Sequence, residues 1–94
     1  MLTHDAARKH INETSGTGWL TLIDEAYNNL PKDIVIIEVF QKWGKLYFKT
    51  SKTDDAFKLF LDNITKRSSS ICERCGAQGK ESIIDGWVTT LCNT

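Results

Sequence analysis

From Trp19 onward the apolar residues first recur every three or four positions, at Trp19, Leu22, Ile23, Ala26, Tyr27 and Leu30. That is the period of an amphipathic helix, and Pro31 ends it, so the pattern predicts a helix over 19–30. At Ile34 the period changes. Ile34-Val35-Ile36-Ile37-Glu38-Val39-Phe40 is rich in β-branched residues, and Leu46-Tyr47-Phe48-Lys49-Thr50 repeats that composition after a break at Gly44. The two runs read as a β-hairpin. With Trp43-Gly44 as a two-residue turn, Glu38 faces Lys49, Val39 faces Phe48 and Phe40 faces Tyr47, each a favourable cross-strand pair. Helical spacing returns at Phe57, Phe60, Leu61 and Ile64, predicting a helix over 54–67. Thr53 is its expected N-cap, with Asp54 and Asp55 suiting the helix N-terminus.

The two ends of the chain are less regular. Residues 3–13 predict a short helix capped by Thr3, with only Leu2, Ala6, Ala7 and Ile11 apolar, and Thr14-Ser15-Gly16-Thr17-Gly18 has the composition of a turn. After Ser68-Ser69-Ser70, residues 71–79 read as a cysteine knuckle and 86–91 as a final strand. The expected fold is therefore α+β: a small antiparallel sheet, made of the hairpin plus the C-terminal strand, with two or three packed helices and a Cys-x2-Cys knuckle. Residues 1–94 are expected to form a single domain, with 1–16 as an N-terminal helix or arm, 17–67 as a helix-hairpin-helix core, and 68–94 as the knuckle and final strand. The predicted core is Trp19, Leu22, Ile23, Leu30, Val39, Phe48, Phe57, Phe60 and Ile64.

Charge narrows the function classes. Lys plus Arg and Asp plus Glu are both 12, for a net charge of zero, so no whole-molecule field draws the chain onto nucleic acid or anionic lipid. No apolar run reaches the roughly 20 residues of a membrane helix, and the start of the chain is unlike a signal peptide. The expectation is a cytoplasmic protein with no membrane partner.

In such a reducing setting three cysteines point to metal binding more than to disulfides. Cys72-Glu73-Arg74-Cys75-Gly76 brings two thiolates close enough to grip one tetrahedral ion, and Cys92 supplies a third sulfur after a span containing a strand, as in a zinc ribbon. The expected cofactor is zinc. No fourth ligand is evident: in a Cys-x2-His arrangement it falls at position 95, and otherwise His4, His10 or an acidic side chain must complete the set. A vestigial site, a Cys72–Cys75 disulfide, or cysteines acting as small buried hydrophobes are the alternatives.

Four segments together carry a resemblance: Gly18-Trp19-x2-Leu22-Ile23-Asp24-Glu25, Lys42-Trp43-Gly44-x-Leu46-x-Phe48, Cys72-Glu73-x-Cys75-Gly76-x2-Gly79 and Gly86-Trp87-x2-Thr90-Leu91-Cys92. In order and spacing they resemble a family of short, uncharacterised phage and bacterial proteins. Members resemble one another in a His shortly after the last Cys, which this sequence stops before, and in a basic residue where Tyr47 stands here. The resemblance implies a phage or prophage setting and a zinc knuckle, and no nameable activity.

The hairpin tip is the second constellation. Lys42, Trp43, Lys45, Tyr47 and Lys49, with Lys52 beyond them, combine cations with amphipathic aromatics, and no acidic residue intervenes between Glu38 and Asp54. Such a surface can dock on an acidic protein face or track a phosphate backbone. Lysines that keep an edge hairpin from aggregating, with Trp43 folded onto the core, are the structural alternative. Gly16-Thr17-Gly18 lacks the rest of a phosphate-binding fingerprint, and Asp24-Glu25 reads as a solvated helix face. No Ser-His-Asp or Cys-His grouping is indicated. The preferred expectation is a non-catalytic protein-binding module, a phage- or prophage-encoded modulator of a host protein. The alternative is a small zinc-knuckle nucleic-acid binder using the lysine and aromatic hairpin.

Overall fold

The computed structural model describes residues 1–92. In chain order the elements are α1 (His4–Thr14), α2 (Leu20–Asn28), β1 (Ile36–Lys42), β2 (Lys45–Thr50), α3 (Asp55–Ser68), β3 (Gly79–Ile84) and β4 (Trp87–Cys92). β1 pairs with β2 and β3 with β4, giving two separate antiparallel sheets and an α+β fold. The first hairpin has the expected register, Glu38 opposite Lys49, Val39 opposite Phe48 and Phe40 opposite Tyr47. Its turn residues both have positive φ, 58° at Trp43 and 77° at Gly44, the two-residue turn whose twist matches that of the strands.

The C-terminal strand departs from expectation. It does not extend the first hairpin; it pairs with β3 from Gly79 opposite Cys92 to Ile84 opposite Trp87. The connecting Asp85 and Gly86 have φ of 51° and 83°, the same turn geometry. Residues 79–84 lack a clean apolar alternation because this hairpin leaves most of its side chains in solvent. Ile83, Ile84 and Trp87 are exposed, and Thr90 is its one buried residue among those described.

The apolar core lies elsewhere, between the helices and the first hairpin. Trp19, Leu22, Ile23, Val39, Phe57 and Ile64 are buried as expected, joined by Ala7, Ile11, Ile34, Ile36, Leu46 and Leu61, while Leu30, Phe48 and Phe60 pack at its edge. Polar contacts lock the layers. Thr3 caps α1, and α3 is capped not by Thr53 but by Asp54, whose Oδ1 accepts from the Phe57 amide at 2.8 Å. Asp24 and Glu25 are not simply solvated: Asp24 takes both oxygens to Arg8 of α1 at 2.6 Å, and Glu25 accepts from Arg67 of α3 at 2.8 Å. Ser68 Oγ accepts from the buried Leu46 amide, tying α3 to β2.

Candidate metal centre and the surface beside it

The knuckle begins where Ile71 bridges to Gln78. Between them the Gly76 amide donates to the Cys72 carbonyl at 2.8 Å and the Cys72 amide to the Ala77 carbonyl at 2.7 Å, the tight turn that brings Cys75 back under Cys72. Gly76 has φ of 85°, which only glycine adopts without strain. The turn packs on residues 16–18. Gly18 N donates to Glu73 O at 2.8 Å, Thr17 Oγ1 to Arg74 O at 3.1 Å, and the buried Trp19 Nε1 to Ile71 O at 3.0 Å. A Cβ on Gly18 would fall 1.8 Å from Cys72 O, so glycine is required there by contact alone. Gly16-Thr17-Gly18 is therefore more than a helix-entry turn: it is the seat of the knuckle.

Register then delivers the third sulfur. Because Cys92 lies opposite Gly79, at the mouth of the knuckle, the sulfurs of Cys72, Cys75 and Cys92 all lie within 4.8 Å of one another. Cys75 and Cys92 are 3.5 Å apart, and all three are thiols. Tetrahedral thiolates at the usual zinc–sulfur bond length are about 3.8 Å apart. The trio could thus hold a metal ion after small side-chain adjustments. Burial pushes the Cys72 thiol up, but the backbone N–H groups of Cys92, Arg74 and Cys75 and the Cys75 thiol outweigh it and bring it down to about 7. At Cys75 the Ala77 N–H pulls downward, while the neighbouring Cys72 and Cys92 sulfurs win and push it up. One sulfur is set to ionise early, as a metal ligand must.

Among the described residues this grouping contains no histidine or carboxylate. His4 does not complete it: its Nε2 is held 2.6 Å from Asp24 and its ring stacks on Tyr27 at 4.8 Å. His10 does not join the sulfurs either, lining instead a depression beside the second hairpin. Position 95 is not part of the 94-residue sequence.

The lysine hairpin looks different in three dimensions. Lys42, Trp43, Lys45 and Tyr47 line one shallow depression with Phe40, and Lys49 lies opposite Glu38 in the sheet. Acidic residues from other segments enter the cluster: Lys45 Nζ is 3.9 Å from Glu81 and Lys52 Nζ 3.5 Å from Asp33. Trp43 is not folded onto the core; it is 67% exposed. The second hairpin leans against this tip. The buried Thr90 hydroxyl donates to Gly44 O at 2.6 Å, and Gln41 Nε2 donates to Val88 O at 3.1 Å. This contact places Trp87, 75% exposed, beside Trp43, and the two indoles line a common groove of about 300 Å³. Trp87 escaped notice in the sequence as a surface residue because a tryptophan in a strand normally reads as core; the Asp85-Gly86 turn was the signal that could have shown it near an exposed tip.

Comparison with protein-family models, with curated proteins and with solved structures found no match.

Proposed function

We propose that this chain is a non-catalytic protein-binding module whose docking surface spans the two hairpin tips, held in register by zinc at Cys72, Cys75 and Cys92. The observation that carries the reading is the groove shared by Trp43 and Trp87. Large aromatics seldom stay in water without a use, and burying one contributes roughly 1.5–3 kcal/mol. Tryptophan is also among the residues richest in binding energy at interfaces. Lys42 lines the groove and Lys45 lies opposite Lys42 across the hairpin, which favours a partner with an acidic rim around an apolar centre. The pairing of Lys45 and Lys52 with carboxylates, and the zero net charge, count against a nucleic-acid ligand.

Zinc fits the donor set because soft thiolates in a tetrahedral arrangement select it, with the fourth position left to a ligand outside the trio. Once a fourth protein ligand closes it, a sulfur-rich site of this kind is structural. It acts where the fold is weakest, since the second hairpin buries almost no apolar surface and an isolated two-stranded hairpin is marginal in water. The resemblance to phage and bacterial proteins supplies the setting: a modulator of a host protein, in the cytoplasm.

The test is affinity capture from a bacterial lysate with the zinc-loaded protein, alongside Trp43→Ala and Trp87→Ala. One protein retained by the parent and lost by both variants, with melting temperatures unchanged, is the expected result. Retention of nucleic acid instead, with a steep salt dependence that Lys45→Ala reduces, would replace this function with the nucleic-acid alternative.

A further inference from the structure

Next to the tryptophan groove, and sharing Gln41, Trp87 and Val88 with it, is a second depression of about 350 Å³. Two residues lining it carry buried side-chain oxygens without a hydrogen-bond partner, Oε2 of Glu73 and Oγ1 of Thr89. Glu73 is only 4% exposed. The Gln41 side chain hydrogen-bonds its carboxyl and the Arg74 charge acts on it, yet Oε2 stays unpaired, and an unpaired polar atom at such depth costs free energy that a ligand can return. The remaining walls include the aromatic rings of Phe40 and Trp87. A buried carboxylate with one oxygen to spare, a hydroxyl without a partner and flat aromatic surface thus line the same depression.

We propose that this depression receives one guanidinium group, an arginine side chain presented by the protein that docks on the adjoining tryptophan groove, an assignment that rests on the protein-binding function above. Guanidinium is planar, so it stacks on an aromatic face while its fork of N–H donors meets a carboxylate. A lysine ammonium is a point charge and uses only part of that geometry. The carboxylate torsion of a glutamate is soft, so the Glu73 carboxylate can turn to meet an entering donor without moving the backbone of the knuckle. Arg74 also lines the depression, with an exposed side chain, and is the resident cation that an incoming arginine must compete with.

The test needs no knowledge of the partner. N-acetyl-arginine amide, N-acetyl-lysine amide and the neutral N-acetyl-citrulline amide are titrated into the zinc-loaded protein, following the Trp87 indole and the Thr89 amide by NMR. The arginine compound should shift both signals, the citrulline compound should bind roughly tenfold more weakly or not at all, and Glu73→Gln should lose a similar factor. The Glu73→Gln spectrum must otherwise overlay the parent, with equal zinc uptake, and Thr89→Val gives a second, independent loss. Equal binding of all three compounds, unchanged binding by Glu73→Gln, or no shift at Trp87 overturns the assignment. If the probe fails while Trp43→Ala and Trp87→Ala still abolish capture of a host protein, the guanidinium site falls and the docking surface stands.

Discussion

Replacing Gly18 by alanine tests how the cysteine knuckle is seated. The added methyl would lie 1.8 Å from Cys72 O, 2.6 Å from Glu73 C and 2.7 Å from Gly76 N. All three are backbone atoms, so no side chain can swing aside, and the knuckle must retreat by roughly 1 Å or more. Overpacking of this kind costs about 1–3 kcal/mol. The retreat also breaks the Gly18 N to Glu73 O bond, and strains those from Thr17 to Arg74 O and from Trp19 to Ile71 O. Each is worth about 1 kcal/mol. The expected loss is about 3–5 kcal/mol, a large part of the stability of a small domain. Gly86→Ala is the control: nothing lies within 4 Å of its Cβ, and only its φ of 83° opposes the change, at about 1–2 kcal/mol. Urea denaturation of both variants, with zinc and with chelator, separates the two mechanisms. If Gly18→Ala proves no worse than Gly86→Ala, the knuckle is not seated on residues 16–18 as described.

Other substitutions probe the remaining joints. Thr90→Val removes the hydroxyl that satisfies the buried Gly44 carbonyl and should cost about 1–3 kcal/mol in urea titration while lowering amide protection in β4. Ser68→Ala leaves the buried Leu46 amide without its acceptor and should cost a similar amount, read by the same titration, with zinc uptake unchanged. Burial raises the Asp24 carboxyl, but hydrogen bonds and charge from Arg8 and His4 outweigh it and hold it below 3.8. Its contribution is therefore present above the unfolded value and lost as pH falls through the folded one. A stability profile below about pH 4 should flatten in Asp24→Asn, and an unchanged acid limb would show that the clamp contributes nothing.

The elements with one wet and one dry face were legible in the sequence. The spacing of Leu22, Ile23 and Ala26 gave α2, that of Phe57, Leu61 and Ile64 gave α3, and the Trp43-Gly44 turn gave the register of the first hairpin residue by residue. α1 was recognisable from its Thr3 cap, although the burial of Ala7 and Ile11 shows it to be part of the core. β3 was not legible, because a strand with no buried residue has no apolar period to read; Asp85-Gly86 was its only local signal. The convergence of the cysteines was predictable from spacing, since Cys-x2-Cys is local and a returning strand brings the third. The seat at Gly18 was not, because its close backbone approach to Cys72, 54 positions away, leaves nothing in the sequence except a glycine. Acidic partners for Lys45 and Lys52 were invisible for the same reason, and so was the depth of Glu73, which reads as an ordinary knuckle residue.

The proposed zinc would order the second hairpin and, through it, the groove between Trp43 and Trp87. Amide hydrogen exchange of the reduced protein, followed residue by residue with one equivalent of zinc and again with a chelator, tests this directly. Zinc should protect β3 and β4, with Ser82 and Thr89, a hydrogen-bonded pair of that ladder, among the amides gained, while β1, β2 and α3 keep the same protection in both conditions. Protection of β3 and β4 that is identical with and without zinc would contradict it.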